Sequence, residues 1–558
     1  MTEPKDDELT FLPLGGAGEI GMNLNLYGFG PPGRETWVMV DLGITFGNEA
    51  QPGIDVITPD PAFIEERRDQ LAGLVLTHAH EDHLGAVPYL WERLQCPIYA
   101  TSFTISILKR KLGETDFADR VHIIEVPLSG RFTVGPFDME LITLTHSIPE
   151  PNAIAIRTPV GTVLHTGDWK FDPGPVIGET SDKEALSRLG DEGVLAIVCD
   201  STNVFTPGES GSEADLLENL SDLIGECQGR VAVACFATNV ARLDTIARAA
   251  AAQGRDVALA GRSLWRINDA ARENGYLTDI AAFLAEEDAG HIPDDKLLII
   301  CTGSQGEPRA ALSRIAADDH PHITLRSGDT VIFSARSIPG NEANIGTLQN
   351  RLARKGVRVV TPRDRFIHVS GHPARDELAE MYRLSRPRVA VPVHGERRHL
   401  EEHANLALEC QVPNAIVAEN GSMVRLGPGE AKVTGDVPSG RLALDGNRLV
   451  PMNGALIKGR IRALYNGSAV LSAVLDGDGN WVAEPELSTI GVLEDNENAI
   501  AEDAITAARN ALKDLSASKR RDDDVAREAM RIAVRRCFRK TLDKKPQTTV
   551  HLIRIQNP

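Results

Sequence analysis

The sequence has no cysteine pair in a C-x-x-C arrangement, and its seven cysteines are an odd number. That excludes a disulfide framework or a zinc-finger scaffold. Cys199, Cys235 and Cys301 each sit in or beside apolar strand-like runs and read as reduced core residues. Long apolar runs are missing too, since none reaches the roughly 18 residues needed to cross a bilayer. The acidic, polar start MTEPKDDELT lacks the cationic, apolar character of a secretion signal. A soluble, cytoplasmic protein with no membrane partner is expected. Positive charge is scarce: 59 Lys and Arg face 79 Asp and Glu, for a formal net charge of -20. Coating nucleic acid non-specifically depends on cations that neutralise phosphates, so the overall charge argues against that mode. It does not exclude a nuclease with a local basic or metal-lined channel, where bound cations supply positive charge that the residue count omits.

What is present fits several cores. At 558 residues and 42% hydrophobic content, the chain has room for roughly three or four domains. Short apolar runs end in Gly or a small polar residue, as in WVMVDLG, LAGLVLTH, VLAIVCD, LLIICTG and RVAVPVHG. Several are separated by helical patterns such as EADLLENLSDLIGECQG, the alternation of an α/β fold. In such folds the carboxyl ends of strands carry the chemistry. The first 140 residues are richer in β patterns, with RFTVGPFDMELITLTHS alternating along its length, whereas 211–366 alternates strand and helix. This predicts a first domain over 1–210, an inserted α/β module over 211–369, a return to the first domain with a linker over 370–450, and a small C-terminal α+β domain over 451–558. Neither a repeat nor a low-complexity linker is found.

The densest chemistry is LVLTHAHEDHLGAVPYL at 74–90. His78 and His80 lie two apart at the end of an extended run and project the same way, while Asp82 and His83 follow where a helix begins. Imidazole and carboxylate donors suit zinc or manganese, and donors split into two groups hold two ions side by side. His146, Asp168 and His394 end other apolar runs and supply what a two-metal site still needs, with Asp168 placed to bridge. Asp41 can orient a ligand from behind. A rival pattern is LGGAGEIG, which places Gly16, Gly18 and Gly21 in a G-x-G-x-x-G with Asp41 some twenty residues on, the dinucleotide-binding fingerprint. Its context fails, because MNLNLYGFG after it alternates like a strand.

THAHEDH with TGDWKFD resembles the metallo-β-lactamase superfamily, and CDSTN, CTGSQGEP, HVSGH and VPVHGE resemble its β-CASP branch, specifically the ribonuclease J family. The likeness runs to about residue 450 and weakens beyond. It implies an αββα sandwich with an inserted β-CASP domain. It also implies that His78, His80 and His146 hold one zinc, that Asp82, His83 and His394 hold the other, and that Asp168 bridges them, with manganese or magnesium able to support activity. Within the branch, a histidine at position 394 resembles the RNA-processing members.

The resemblance further implies a phosphate pocket at His368, Val369, Ser370, Gly371 and His372, with Phe236, Ala237 and Ser263 as its opposing wall. A bland alternative is a turn capping the helix that starts at PARDELAEMYRL, and CTGSQGEPRAALSRI is likewise readable as a turn before a helix. The implied activity is 5'-to-3' exonucleolytic cleavage of 5'-monophosphate RNA, with endonucleolytic cleavage as a second mode, in RNA processing and decay. A metal-bridging hydroxide would attack, Asp82 would accept a proton, and His368, oriented by Asp200, would serve the leaving 3'-oxygen. The resemblance also implies a dimer or tetramer formed through the C-terminal region, and a helicase or degradosome scaffold is the kind of partner to expect. Two other readings are a small-ester metallo-hydrolase, such as a thioesterase or lactonase, and a scaffold that has lost its chemistry. The long insertion speaks against the first and the full set of ligand types against the second.

Overall fold

The computed structural model describes residues 7–48 and 51–555. They form two compact units, Met1–Thr45 with Thr58–Gly440, and Phe46–Ile57 with Arg441–Pro558.

The first unit is built on two facing sheets. One runs in the order Lys432–Asp436, Ser422–Gly427, Glu8–Gly15, Leu24–Gly30, Thr36–Val40, Leu71–Val75, Ile98–Ala100, Ile123–Glu125. The other begins with Arg131–Val134, Phe137–Thr143, Asn152–Thr158 and Gly161–His165. It continues through Val194–Asp200 and Val389–Val393 to Asn414–Ala415. Residue alternation explains the layering. Val38, Val40 and Val75 of the first sheet meet Ile154, Ile156, Val198 and Val391 of the second in one core. The intervening Ala153, Ala155, Ile197, Cys199 and Ala390 turn to the other face, where they pack with Leu186, Leu189, Leu378, Met381 and Leu406 of three helices.

A third, wholly parallel sheet interrupts this sandwich, in the order Asp256–Ala260, Leu297–Cys301, Val231–Ala234, Thr330–Phe333, Arg358–Val360. Its apolar core is its own. The chain departs after Val194–Asp200 and returns in Val389–Val393, which pair side by side with Asp200 opposite Val393. The insertion therefore leaves Asp200 and His394 at neighbouring strand ends.

The alternating run RFTVGPFDMELITLTHS forms a hairpin, because Gly135 at φ 56° closes a turn that pairs Val134 with Phe137. The glycine-rich LGGAGEIG leads into the strand Leu24–Gly30, so no helix follows to receive a dinucleotide phosphate. Its glycines serve close packing: a Cβ on Gly16 would lie 2.3 Å from Asn23 Oδ1. The seven cysteines are free, and burial pushes the Cys96, Cys199 and Cys235 thiols up to about 12, which leaves them without thiolate character.

In the second unit, the central strand Ser468–Asp476 runs antiparallel to Glu486–Ile490 and parallel to Gln547–Ile555. A parallel pair needs a crossover, which the helices Asn498–Lys513 and Asp523–Leu542 provide. They bury Ala504, Ala508, Leu512, Met530, Val534 and Phe538 against Ala469, Leu471, Ala473 and Leu475. Among the described residues, no helix is long and apolar enough to cross a membrane.

Candidate metal centre and phosphate pocket

Each donor sits just past the carboxyl end of a strand. Leu71–Val75 leads to His78 and His80, and the single helical turn Glu81–Leu84 carries Asp82 and His83. Phe137–Thr143 leads to His146, Gly161–His165 to Asp168, and Val389–Val393 to His394. The structure brings together all seven residues expected at the metal site. His78, His80, His146 and Asp168 place donor atoms within 4.8 Å of one another, and so do Asp82, His83, Asp168 and His394. Asp168 is common to both groups.

The imidazoles are aimed by what holds their outer nitrogens. His78 Nδ1 is 2.9 Å from Thr77 Oγ1, His83 Nδ1 is 2.7 Å from Asp41 Oδ2, His146 Nδ1 donates to the Gly371 carbonyl at 2.5 Å, and His394 Nδ1 is 3.1 Å from Asn23 Oδ1. Thr77 Oγ1 donates to Asp41 Oδ2, so it accepts from His78. With protons on their Nδ1 atoms, the neutral His78 and His146 rings point their Nε2 lone pairs inward. His78 Nε2 and His146 Nε2 then converge on His80 Nδ1 at 3.0 and 3.1 Å. One proton on His80 can satisfy only one of them. Buried lone pairs facing each other in this way fit a cation, and the N/O donor set fits zinc or manganese.

Electrostatics agree with a site built for positive charge. Burial alone would raise the Asp168 carboxyl, but His394, His83 and His372 outweigh it and hold it well below its usual range. Burial alone would lower His83, yet Asp168, Asp82 and Asp41 hold it well above. His78 and His146 are pushed well down by burial and by neighbouring imidazoles, which keeps them neutral and available as ligands. Asp41 and His394 both adopt left-handed backbone, at φ 64° and 52°. Such strain persists only where surrounding bonds over-determine it. Asp41 receives Thr77 N at 2.8 Å and donates its own N–H to Val75 O, while the His394 N–H reaches Gly16 O.

The HVSGH segment lies against this centre. The Gly371 carbonyl holds His146, and a Cβ on Gly371 would come within 2.7 Å of the His146 ring. Ser370 Oγ accepts from Asn203 Nδ2 at 2.7 Å and from His372 N at 3.2 Å, which leaves its own hydroxyl proton free to donate. Asn203 also donates to His372 O and is bonded by Arg336.

One expected pairing is corrected. Asp200 does not orient His368: its Oδ2 lies 2.7 Å from His372 Nδ1, and its Oδ1 accepts from Thr202. Burial would lower His372, but Asp200 and Asp168 raise it to about 9. His368 instead accepts from Arg242 at 3.3 Å. An arginine only donates, so that ring is neutral, and burial with Arg242, Arg336 and Lys170 nearby holds it well down. Arg242 is fully buried, paired to Glu213 and bonded to Ser334.

Val369 is buried. Phe236 and Ala237 follow Val231–Ala234, beside the strand that leads to Ser334, whereas exposed Ser263 follows the edge strand Asp256–Ala260, two strands further away. Sequence reasoning missed Asn203, Glu213, Arg242 and Arg336. Asn203 stood in view as the last residue of CDSTN, but Arg242 on a helix had no local signal.

Fold and site together define a metal-dependent hydrolase of the metallo-β-lactamase class. The family description "Metallo-beta-lactamase superfamily" matches residues 29–217, "Ribonuclease J, beta-CASP domain" 228–352, "Zn-dependent metallo-hydrolase RNA specificity domain" 345–416 and "Ribonuclease J C-terminal domain" 455–555. The chain is 43% identical over 553 residues to Ribonuclease J of Sinorhizobium meliloti, covering 99% of this chain and 98% of that one. It is 39% identical over 547 residues to Ribonuclease J of Mycolicibacterium smegmatis, covering 97% and 96%. A crystal structure of a protein of unknown function from Enterococcus faecalis aligns with a TM-score of 0.52 at 18% identity, over 75% of this chain and 100% of that one, and shares the fold. The chain belongs to the ribonuclease J family and is a metal-dependent nuclease.

Proposed function

We propose that the protein removes nucleotides one at a time from the 5' end of 5'-monophosphorylated RNA, with internal cleavage as a second mode, in cytoplasmic RNA processing and decay. What supports this reading is the hydrogen bond from His146 to the Gly371 carbonyl, which sets the proposed phosphate-binding segment HVSGH against the proposed metal donors. A 5'-phosphate held by the Ser370 hydroxyl and the cations around His368 then presents the first phosphodiester to the metal centre. Two zinc ions are proposed, one at His78, His80 and His146, the other at Asp82, His83 and His394, shared through Asp168, with manganese or magnesium as alternatives.

When bound, the ions would acidify the attacking water from about 15.7 toward neutrality and offset charge on the non-bridging oxygens. Asp82, the cluster carboxylate whose side chain is 30% exposed, is placed to take the proton of that water. His372 as imidazolium, backed by Asp200, donates a proton to the leaving 3'-oxygen, and the phosphate stays on the 5' side of the product. His368 stays neutral and, with Arg242, shapes the phosphate pocket. The small-ester reading is not favoured, because the relatives carry the ribonuclease J name across nearly the whole chain. Assembly with a second copy through 451–558 is proposed from Ile490, Ile553 and Ile555, exposed on the three-stranded sheet. A helicase or degradosome scaffold remains a proposed partner.

The test uses one unstructured RNA, labelled at its 3' end, with either a 5'-monophosphate or a 5'-hydroxyl, and zinc-loaded protein supplemented with manganese. Stepwise shortening from the 5' end is expected, faster on the monophosphate by about tenfold or more, the worth of hydrogen bonds to a charged group. Equal rates on both ends, or turnover of thioesters and lactones without nucleotide release, would contradict it.

A further inference from the structure

The charge of the chain is distributed unevenly. Residues 441–558 hold 19 Lys and Arg against 16 Asp and Glu, in a protein whose totals are 59 and 79. Within that unit the signs separate again: residues 531–545 contain seven cations and one acid, Asp543, and residues 455–466 contain three cations and no acid. Along the helix Asp523–Leu542, Ala526, Met530, Val534 and Phe538 face the core at every fourth position. Arg535, Arg539, Arg536 and Lys540 are thereby exposed as two i, i+4 rows. None of the four forms an ion pair or side-chain hydrogen bond among the described residues.

The helix Ala455–Asn466 adds a third row, exposed Lys458 and Arg462, on the same unit. Its carboxyl end is tied to the chain leaving the longer helix, because Lys544 Nζ donates to Tyr465 O at 3.1 Å and Lys545 N to Asn466 Oδ1 at 3.0 Å. At that junction the Tyr465 ring is 67% exposed. Cations in the last turn of a helix are ordinarily explained by its dipole. That accounts for Arg539 and Lys540 but not for Arg535, Arg536, Lys458 or Arg462.

We propose that this basic face of the C-terminal unit, with Tyr465 as a stacking platform, holds single-stranded RNA as a binding surface separate from the metal centre. Unpaired cations recognise phosphates at any sequence, and an exposed aromatic ring among them stacks a base. The identity of the ligand rests on the ribonuclease reading, whereas the surface itself does not. The rival occupant is the acidic body of a second copy of this chain.

The full-length protein is compared with a variant carrying Arg535→Gln, Arg536→Gln, Arg539→Gln and Lys540→Gln, and with Tyr465→Ala. Binding of a fluorescent 30-nucleotide unstructured RNA is followed by anisotropy from 50 to 200 mM salt, with EDTA present to stop cleavage. The fourfold variant is expected to bind about tenfold more weakly at low salt. Its slope of log K against log salt should be shallower by about 2 to 3, at about 0.7 for each phosphate that is no longer neutralised. Tyr465→Ala is expected to weaken binding with the slope unchanged. With metal restored, kcat/KM should fall on the 30-mer and hold on a 5'-phosphorylated 5-mer. Unchanged affinity and slope overturn the proposal, and so does a fall in sedimenting mass with RNA affinity retained, which would assign the face to subunit contact. If no RNA is cleaved by any form while the variant still loses RNA binding, the ribonuclease reading fails and this surface stands.

Discussion

Replacing Asp200 with Asn keeps the shape of the side chain and removes its charge. Oδ1 can still accept from Thr202 N at 2.8 Å and from Thr202 Oγ1 at 2.7 Å, so the local turn should survive. The change falls on the 2.7 Å contact to His372 Nδ1. An amide offers a donor there, so His372 must accept and become neutral, and its remaining Nε2 proton is a far weaker acid. A hydrogen bond to a charged group contributes roughly 1.5–3 kcal/mol, and 1.36 kcal/mol is tenfold in rate. The single-turnover rate on 5'-monophosphorylated RNA should therefore fall about 10- to 150-fold, with little change in RNA affinity and no loss of bound zinc. The assay that isolates the role uses RNA whose scissile 3'-oxygen is replaced by sulfur, because a thiolate leaves without protonation. Asp200→Asn should be nearly normal on that substrate. An equal loss on both substrates would refute the assignment of His372 as proton donor and would leave Asp200 a structural residue.

Other consequences follow from single contacts. Asn203→Ala removes the donor that holds both Ser370 Oγ and His372 O, so preference for 5'-monophosphate over 5'-hydroxyl RNA should drop several-fold; a uniform loss on both ends would count against the pocket. Gly371→Ala forces a Cβ to within 2.7 Å of the His146 ring, and zinc content after dialysis should fall, while full retention would show that the loop yields freely. His403 is fully buried between Ser201 and Tyr382, each at 2.8 Å, and burial lowers it to about 4. The unfolded chain binds that proton at about 6.5 and the folded one does not, so stability is full above pH 6.5 and is lost on acidification, by about 2 kcal/mol at pH 5. Urea titrations in EDTA should show this pH dependence reduced in His403→Gln, and identical slopes would contradict it.

The layered fold was legible because strand and helix periods alternate openly, and the seven donor residues because five follow apolar runs and Asp82 and His83 sit in the same motif, H-x-H-x-D-H, at the start of the next helix. What stayed hidden depends on which strand ends become neighbours. The resemblance gave the leaving-oxygen role to His368 and placed His372 only in the phosphate pocket. Only the parallel pairing of Val194–Asp200 with Val389–Val393, with the inserted sheet between them, decides that Asp200 meets His372. The Arg242–Glu213 pair was equally out of reach, since the two residues are 29 positions apart and neither lies in a motif. The β character of the run at 131–147 was legible as alternation, and a single left-handed glycine folds it into a hairpin. The fingerprint at Gly16, Gly18 and Gly21 was settled by its context, because a strand follows.

The proposed pair of cations sharing Asp168 is open to one direct measurement. Crystals grown with zinc and measured on both sides of the zinc absorption edge should show two anomalous peaks, one against His78, His80 and His146, the other against Asp82, His83 and His394, with Asp168 reaching both. A single peak, or two peaks without contact to Asp168, would contradict it.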